Sequence, residues 1–172
     1  WKGETVTDNF PLRSGKGSVY EGGIRVPLIV RWPKVTPPGS VCSEPAASAD
    51  LYATFLDVTG RADHPLRNEE VDGVSLVPLL RDPAASLGRE ALYWHYPHYY
   101  PTTTPVGAIR AGRWKLIEYF ETGSRELYDL STDIGESQDL AESNPAKVDE
   151  LHSMLVEWRR SVGARMPAPS QQ

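Results

Sequence analysis

The sequence predicts an α/β segment followed by a small α+β unit, and three observations carry that reading. The apolar run at 26–32, V-P-L-I-V-R-W, has the length of a buried strand in a mostly parallel sheet. Residues 91–130 read as short strands rich in aromatic and β-branched side chains, parted by turns that contain glycine. Val148, Leu151, Leu155, Trp158 and Val162 recur at spacings of three and four, which lays one apolar stripe along a helix. A break in composition at 83–88 separates the parts. Residues 1–86 are expected to form the α/β piece, and 87–172 the small sheet-and-helix piece.

The chain has 172 residues, the length of one ordinary domain or of one and a small piece, and its 40% hydrophobic content is enough for a core. Its formal charge is −5 with no basic block, which argues against nucleic acid as a partner, because neutralising phosphates needs clustered Lys and Arg. No run of about eighteen apolar residues is present, so no helix is expected to cross a membrane. Cys42 is the single cysteine, which excludes an intrachain disulfide and any site built from several thiolates. The chain opens Trp1-Lys2-Gly3-Glu4-Thr5, polar and without an initiating methionine, and this predicts a processed chain or a piece of a longer one.

Taken in order, residues 1–14 are polar and turn-like. Asp8-Asn9 reads either as a turn or as a pair of oxygen ligands for a hard cation. Gly15-Lys16-Gly17 puts a compact charge on a glycine-flanked loop, either to meet an anion or as a solvated turn lysine. The glycine pair Gly22-Gly23 leads into the 26–32 run, and Glu21 and Arg25 beside it are expected to brace the loop by ion pairing. Pro33, Pro37, Pro38 and Pro45 mark a surface connection. Ser48 or Asp50 is expected to cap a helix through Leu51, Phe55, Leu56 and Val58 that stops at Gly60. Residues 75–80 form a short helical turn or core plug. Residues 91–96 form a strand, and 106–110 and 114–120 a hairpin turning at Ala111-Gly112. Residues 126–130 add a third strand to this antiparallel meander. Asn144 with Pro145 starts the last helix, which should cover the apolar face of a three-stranded sheet.

Specific words in the chain say more. P-L-R-S-G-K-G-S-V-Y-E-G-G-I-R-V-P-L-I-V-R-W-P at 11–33 strongly resembles the second half of the type I, arylsulfatase-like sulfatases. So do V-D-G-V-S-L-V-P-L-L at 71–80, L-Y-W-H-Y-P-H-Y at 92–99, G-A-I-R-A-G-R-W-K-L-I-E at 107–118 and E-L-Y-D-L-S-T-D-I-G-E at 126–136. The words stand in the family's order and cover nearly the whole chain.

The resemblance implies an alkaline phosphatase-like α/β fold, of which this chain holds the last core strand or strands and helices, then the small C-terminal subdomain. It implies sulfate-ester hydrolysis by a formylglycine nucleophile matured from cysteine, with calcium on the sulfate oxygens. It also implies that the lysine of the G-K-G word, Lys16, contacts the sulfate. The nucleophile word Cys-x-Pro-x-Arg is absent, since Cys42 is followed by Ser43-Glu44-Pro45. Asp8-Asn9 is followed by Phe10 rather than glycine and stands close to Lys16, so it is rejected as the family's later metal pair. Nucleophile and metal ligands are therefore expected outside this chain.

His95 and His98 straddle Pro97, and either fill a surface aromatic cluster or line the substrate mouth. His64 and His152 read as structural. Trp94, Trp114 and Trp158 read as core, and Tyr99 or Tyr100 would suit stacking on a sugar ring. The resulting expectation is the C-terminal portion of a sulfatase, inactive alone, completed by the N-terminal half and acting on a sulfated small molecule or saccharide. The alternatives are a non-catalytic interaction module on the same fold, and a separate subunit completed by a partner chain. An unpaired 26–32 strand would favour aggregation or self-association. The family's habit points to a periplasmic, secreted or lysosomal setting.

Overall fold

Four short strands join in sequence order into one open antiparallel sheet: β1 (Leu92–Tyr96), β2 (Val106–Ala111), β3 (Trp114–Tyr119) and β4 (Arg125–Asp129). The computed structural model describes residues 8–61 and 71–167, so His64 and the first residues of the chain lie outside it. The described helices are α1 (Glu21–Ile24), α2 (Asp50–Val58), α3 (Val77–Arg81) and α4 (Pro145–Ser161). The chain divides into two units, one of residues 1–26 with 90–172 and one of residues 27–89.

In the first unit the pleat sorts side chains onto two faces. Ile109 pairs with Leu116, which pairs with Leu127, and these three meet Val148, Leu151 and Leu155 of α4. The expected stripe thus covers one face. Trp158 stacks on Tyr93 at 4.8 Å, whereas Val162 caps the helix and stays exposed. Asn144 holds the N-cap position, but its side-chain amide donates to the Leu140 carbonyl rather than capping.

The other face carries Val106, Ala108, Ile117 and Tyr128, and it is covered by the N-terminal segment through Val19 and Tyr20. The sheet therefore lies between α4 and a loop-rich layer drawn from the start of the chain. Two expectations are corrected. The sheet has four strands rather than three, because residues 92–96 pair with β2 in the register Leu92↔Arg110. The hairpin turns at Gly112-Arg113, one residue later than expected, because Ala111 still pairs with Trp114.

The 27–89 unit is held differently. Its core is Ala53 and Thr54 of α2 with Leu76, Val77 and Leu79 at α3. Ala49 occupies the N-cap of α2, with Asp50 the first helical residue. The Asp50 carboxylate accepts the amides of Ala47 at 2.7 Å and Val74 at 2.9 Å, and pairs with Arg89. The expected helix through Leu51, Phe55, Leu56 and Val58 is present, with Leu51 and Leu56 half-buried and Phe55 and Val58 exposed.

The predicted strand at 26–32 is not formed. These residues carry no regular secondary structure, and Val26, Leu28, Ile29 and Val30 are exposed. A strand needs a neighbour for its backbone groups, and the described residues offer it none.

Candidate functional site

The glycine-rich segment builds its loop by close backbone approach. The Gly22 amide donates to the Arg13 carbonyl at 2.9 Å, and that of Ser18 to Gly15 at 3.1 Å. Asn9 donates its side-chain amide to the carbonyls of both Ser14 and Gly22 at 3.2 Å. A Cβ at Gly22 would lie 2.4 Å from the Arg13 and Ser14 carbonyl oxygens, and one at Gly23 2.1 Å from that of Ser18. The glycine pair is thus required because the returning chain 13–18 rests directly on α1.

Lys16 stands at the crest of this loop, exposed, and among the described residues no carboxylate pairs with it. Its backbone carbonyl accepts from the Thr102 hydroxyl at 3.1 Å. Gly17, at φ +86°, lies against the Tyr100 ring, where a Cβ would come within 2.1 Å of a ring carbon. The tight turn carrying Tyr100 and Thr102, closed by backbone bonds between Tyr100 and Thr103, therefore clasps the loop from the β1–β2 connection.

Beneath the loop lies a buried ionic cluster. Lys115 of β3 is fully enclosed, with its ammonium 3.0 Å from Glu21 Oε1 and 2.7 Å from Glu136 Oε1. Arg25 and Arg110 lie 3.5 and 3.7 Å from Glu21 Oε2, so the expected bracing of the glycine pair by Glu21 and Arg25 is present. The second Glu136 oxygen accepts the Glu21 amide at 2.6 Å. Burial raises the Glu136 carboxyl above its ordinary value despite the opposing pull of Lys115 and of that amide.

A second network flanks the cluster. Tyr20 and Tyr128 donate to Glu126 Oε2 at 2.6 and 2.9 Å, and burial, then that carboxylate, pushes both phenols up. Arg13 donates to the Tyr128 hydroxyl and the Glu136 carbonyl at 3.0 and 2.8 Å, with its guanidinium 3.9 Å from the Tyr20 ring centre.

The other predicted residues separate. His95 donates its Nε2 proton to the Arg165 carbonyl at 2.8 Å and tilts against Phe120, while its Nδ1 is buried without a described partner. His98 is exposed and meets the Tyr96 ring edge-on. His152 pairs with Glu118 at 2.9 Å, tying α4 to β3. Tyr99 is 70% exposed but anchored through its hydroxyl to Glu121. Asp8 accepts the Phe10 amide, as a turn residue does.

Among the described residues no three His, Cys, Asp or Glu side chains converge on a point that could hold a metal. The donors present do not fit a calcium cage, which needs six or more oxygens. Sequence reasoning missed Lys115, Glu136, Tyr100 and Thr102 as builders of the loop. The one available signal was a lysine at an inward position of a core strand, between Trp114 and Leu116.

The chain matches the family described as N-sulphoglucosamine sulphohydrolase, C-terminal, over residues 14–161. It is 35% identical over 149 residues to a sulfatase of Formosa agariphila, covering 82% of this chain and 27% of that protein. To arylsulfatase A of Homo sapiens it is 36% identical over 151 residues, covering 75% and 28%. The crystal structure of Ps i-CgsB in complex with k-i-k-neocarrahexaose superposes with a TM-score of 0.72 at 31% identity, covering 88% of this chain and 32% of that one. The chain therefore spans about a third or less of the length of these relatives.

Proposed function

We propose a role that proceeds from one premise: the chain belongs to the type I, arylsulfatase-like sulfatase family and corresponds to the C-terminal portion of its members. In the full-length gene product, Lys16 contacts the sulfate group of a sulfate ester during its hydrolysis. The supporting observation is an exposed ammonium, free of any described carboxylate, on a loop fixed by backbone bonds and by the Tyr100–Thr103 turn. As the ester bond breaks, negative charge grows on the leaving and peripheral oxygens. A cation already in place stabilises that charge without having to reorganise.

Calcium would neutralise the sulfate oxygens, and a formylglycine would supply the nucleophile. The described donors do not fit calcium, and Cys42 lacks the surrounding nucleophile word, so both are assigned to the N-terminal portion, which also supplies neighbours for the exposed 26–32 run. His95 and His98 are assigned to the rim of the substrate mouth, where His98 has both ring nitrogens without a described hydrogen-bond partner. The saccharide bound by Ps i-CgsB makes a sulfated saccharide the first substrate class to test, alongside small aryl sulfates. The exported setting of such enzymes, whether periplasmic, secreted or lysosomal, is carried over with the family.

The test is turnover of an aryl sulfate by the full-length product with calcium, beside its Lys16→Ala variant. Loss of one donor to the developing oxyanion should lower kcat by about 10²–10³. A near-normal rate in a folded variant removes Lys16 from the site. Residues 1–172 alone should show no turnover, and activity there would overturn the assignment of the nucleophile to the N-terminal portion.

A further inference from the structure

Glu136 grips the Lys16 loop at both ends. Its carbonyl takes the Arg13 guanidinium at 2.8 Å, three residues before Lys16, and its carboxylate takes the Glu21 amide at 2.6 Å, five residues after. Its other carboxylate oxygen and that of Glu21 converge on Lys115, which is fully buried on the core strand β3 beside Leu116. Asn9, the backbone bonds from Gly22 to Arg13 and from Ser18 to Gly15, and the contacts to Tyr100 and Thr102 also hold the loop, while Arg13, Ser14 and Lys16 are themselves exposed.

Stability does not call for this arrangement. Two carboxylates around one lysine leave Glu21 Oε2 and Glu136 Oε1 without a hydrogen bond of good geometry. Well-packed apolar side chains in place of a buried ionic cluster are often neutral or stabilising. What apolar residues cannot do is accept the Glu21 amide and point a fixed charge at the start of α1.

We propose that Glu136 and Lys115 are positioning residues for the sulfate-contacting lysine: their side chains fix Glu21, and with it the start of α1, so that the loop presents Lys16 in one place. This rests on the reading of Lys16 given above, and the experiment separates the two. In the full-length product, Glu136→Gln and Lys115→Met are made alone and in the Lys16→Ala background. Steady-state kinetics with an aryl sulfate are combined with hydrogen exchange at the Ser18, Gly22 and Gly23 amides.

Each clamp variant should lower kcat/KM at least tenfold when Lys16 is present and less than twofold when it is alanine. Exchange at the three amides should rise while that of β2 and β3 stays unchanged. A purely structural cluster would cost the same factor in both backgrounds, and that result, or unchanged exchange at the loop, overturns the clamp. Should Lys115→Met fail to fold, the isosteric Glu136→Gln decides; failure of both assigns the cluster to stability and also overturns the proposal. If Lys16→Ala alone is near normal, the reading of Lys16 falls, and exchange still reports whether the clamp holds the loop.

Discussion

Asp50 in the 27–89 unit and Glu136 in the sheet unit are both buried carboxylates, and their surroundings treat them in opposite ways. Burial alone would raise Asp50, but the Arg89 guanidinium and the amides of Ala47 and Val74 outweigh it and hold the group below its ordinary value. Burial prevails at Glu136, which must share Lys115 with Glu21. The difference teaches what each carboxylate is for. Asp50, met by donors from two loops and from Arg89, organises a unit with few apolar side chains to spare. Glu136 sits in a unit already held by two apolar clusters, one on each face of the sheet, and its charge is kept there at a cost.

The strongest way to break this contrast is to remove Asp50. Asp50→Asn removes a fully buried charge that the part-buried Arg89 guanidinium and two amides meet, and should cost about 3–5 kcal/mol of unfolding free energy in urea; a loss below about 1 kcal/mol would show that the donors around it organise nothing. Next, Leu155→Ala empties a fully enclosed position under the sheet and should cost about 2–5 kcal/mol.

The pH dependence then sharpens the contrast through its sign. Asp50 contributes stability that is present above its ordinary value of 3.8 and is lost as pH falls through its lower folded value. Glu136 does the reverse: its contribution is complete below 4.5 and is lost as pH rises through its raised folded value. Stability of wild type relative to Asp50→Asn should therefore shrink on acidification below about pH 4. Relative to Glu136→Gln it should shrink as pH rises above 4.5. Neither slope can exceed about 1.4 kcal/mol per pH unit, and slopes of the same sign would erase the distinction.

The smallest expected effect is at Phe55, 63% exposed. Phe55→Ala should change the stability of residues 1–172 by no more than about 0.5 kcal/mol, and a larger loss would mean that this face is already packed within the chain.

Local and periodic signals foretold much of the sheet unit. Aromatic and β-branched content between glycine-containing turns gave the hairpin strands, and the three-and-four spacing gave α4 with its buried Val148, Leu151 and Leu155. The hairpin turn was misplaced by one residue because Ala111-Gly112 and Gly112-Arg113 both contain the required glycine, and only pairing across the strands selects between them. The 26–32 run was read as a strand from composition, but a strand is defined by its neighbours, and none lies among the described residues. The apolar residues Leu51, Phe55, Leu56 and Val58 marked α2 as a helix, yet its buried positions are Asp50, Ala53 and Thr54, since small and hydrogen-bonding side chains let α3 approach. For the site, the family's words located Lys16 and the glycine pair. The support beneath them was illegible because Lys115 and Glu136 lie 94 and 115 residues from Glu21 along the chain, beyond any local pattern.

Gly17 invites a different view of the glycine–lysine–glycine word. Its missing side chain is the seat for the Tyr100 ring, so the residue serves as a socket more than as a hinge. A methyl group placed there would unseat the aromatic plug and tip the neighbouring lysine off its mount. Any attempt to graft this word onto another scaffold must therefore carry its tyrosine along, or shrink that ring in step with the glycine it fills.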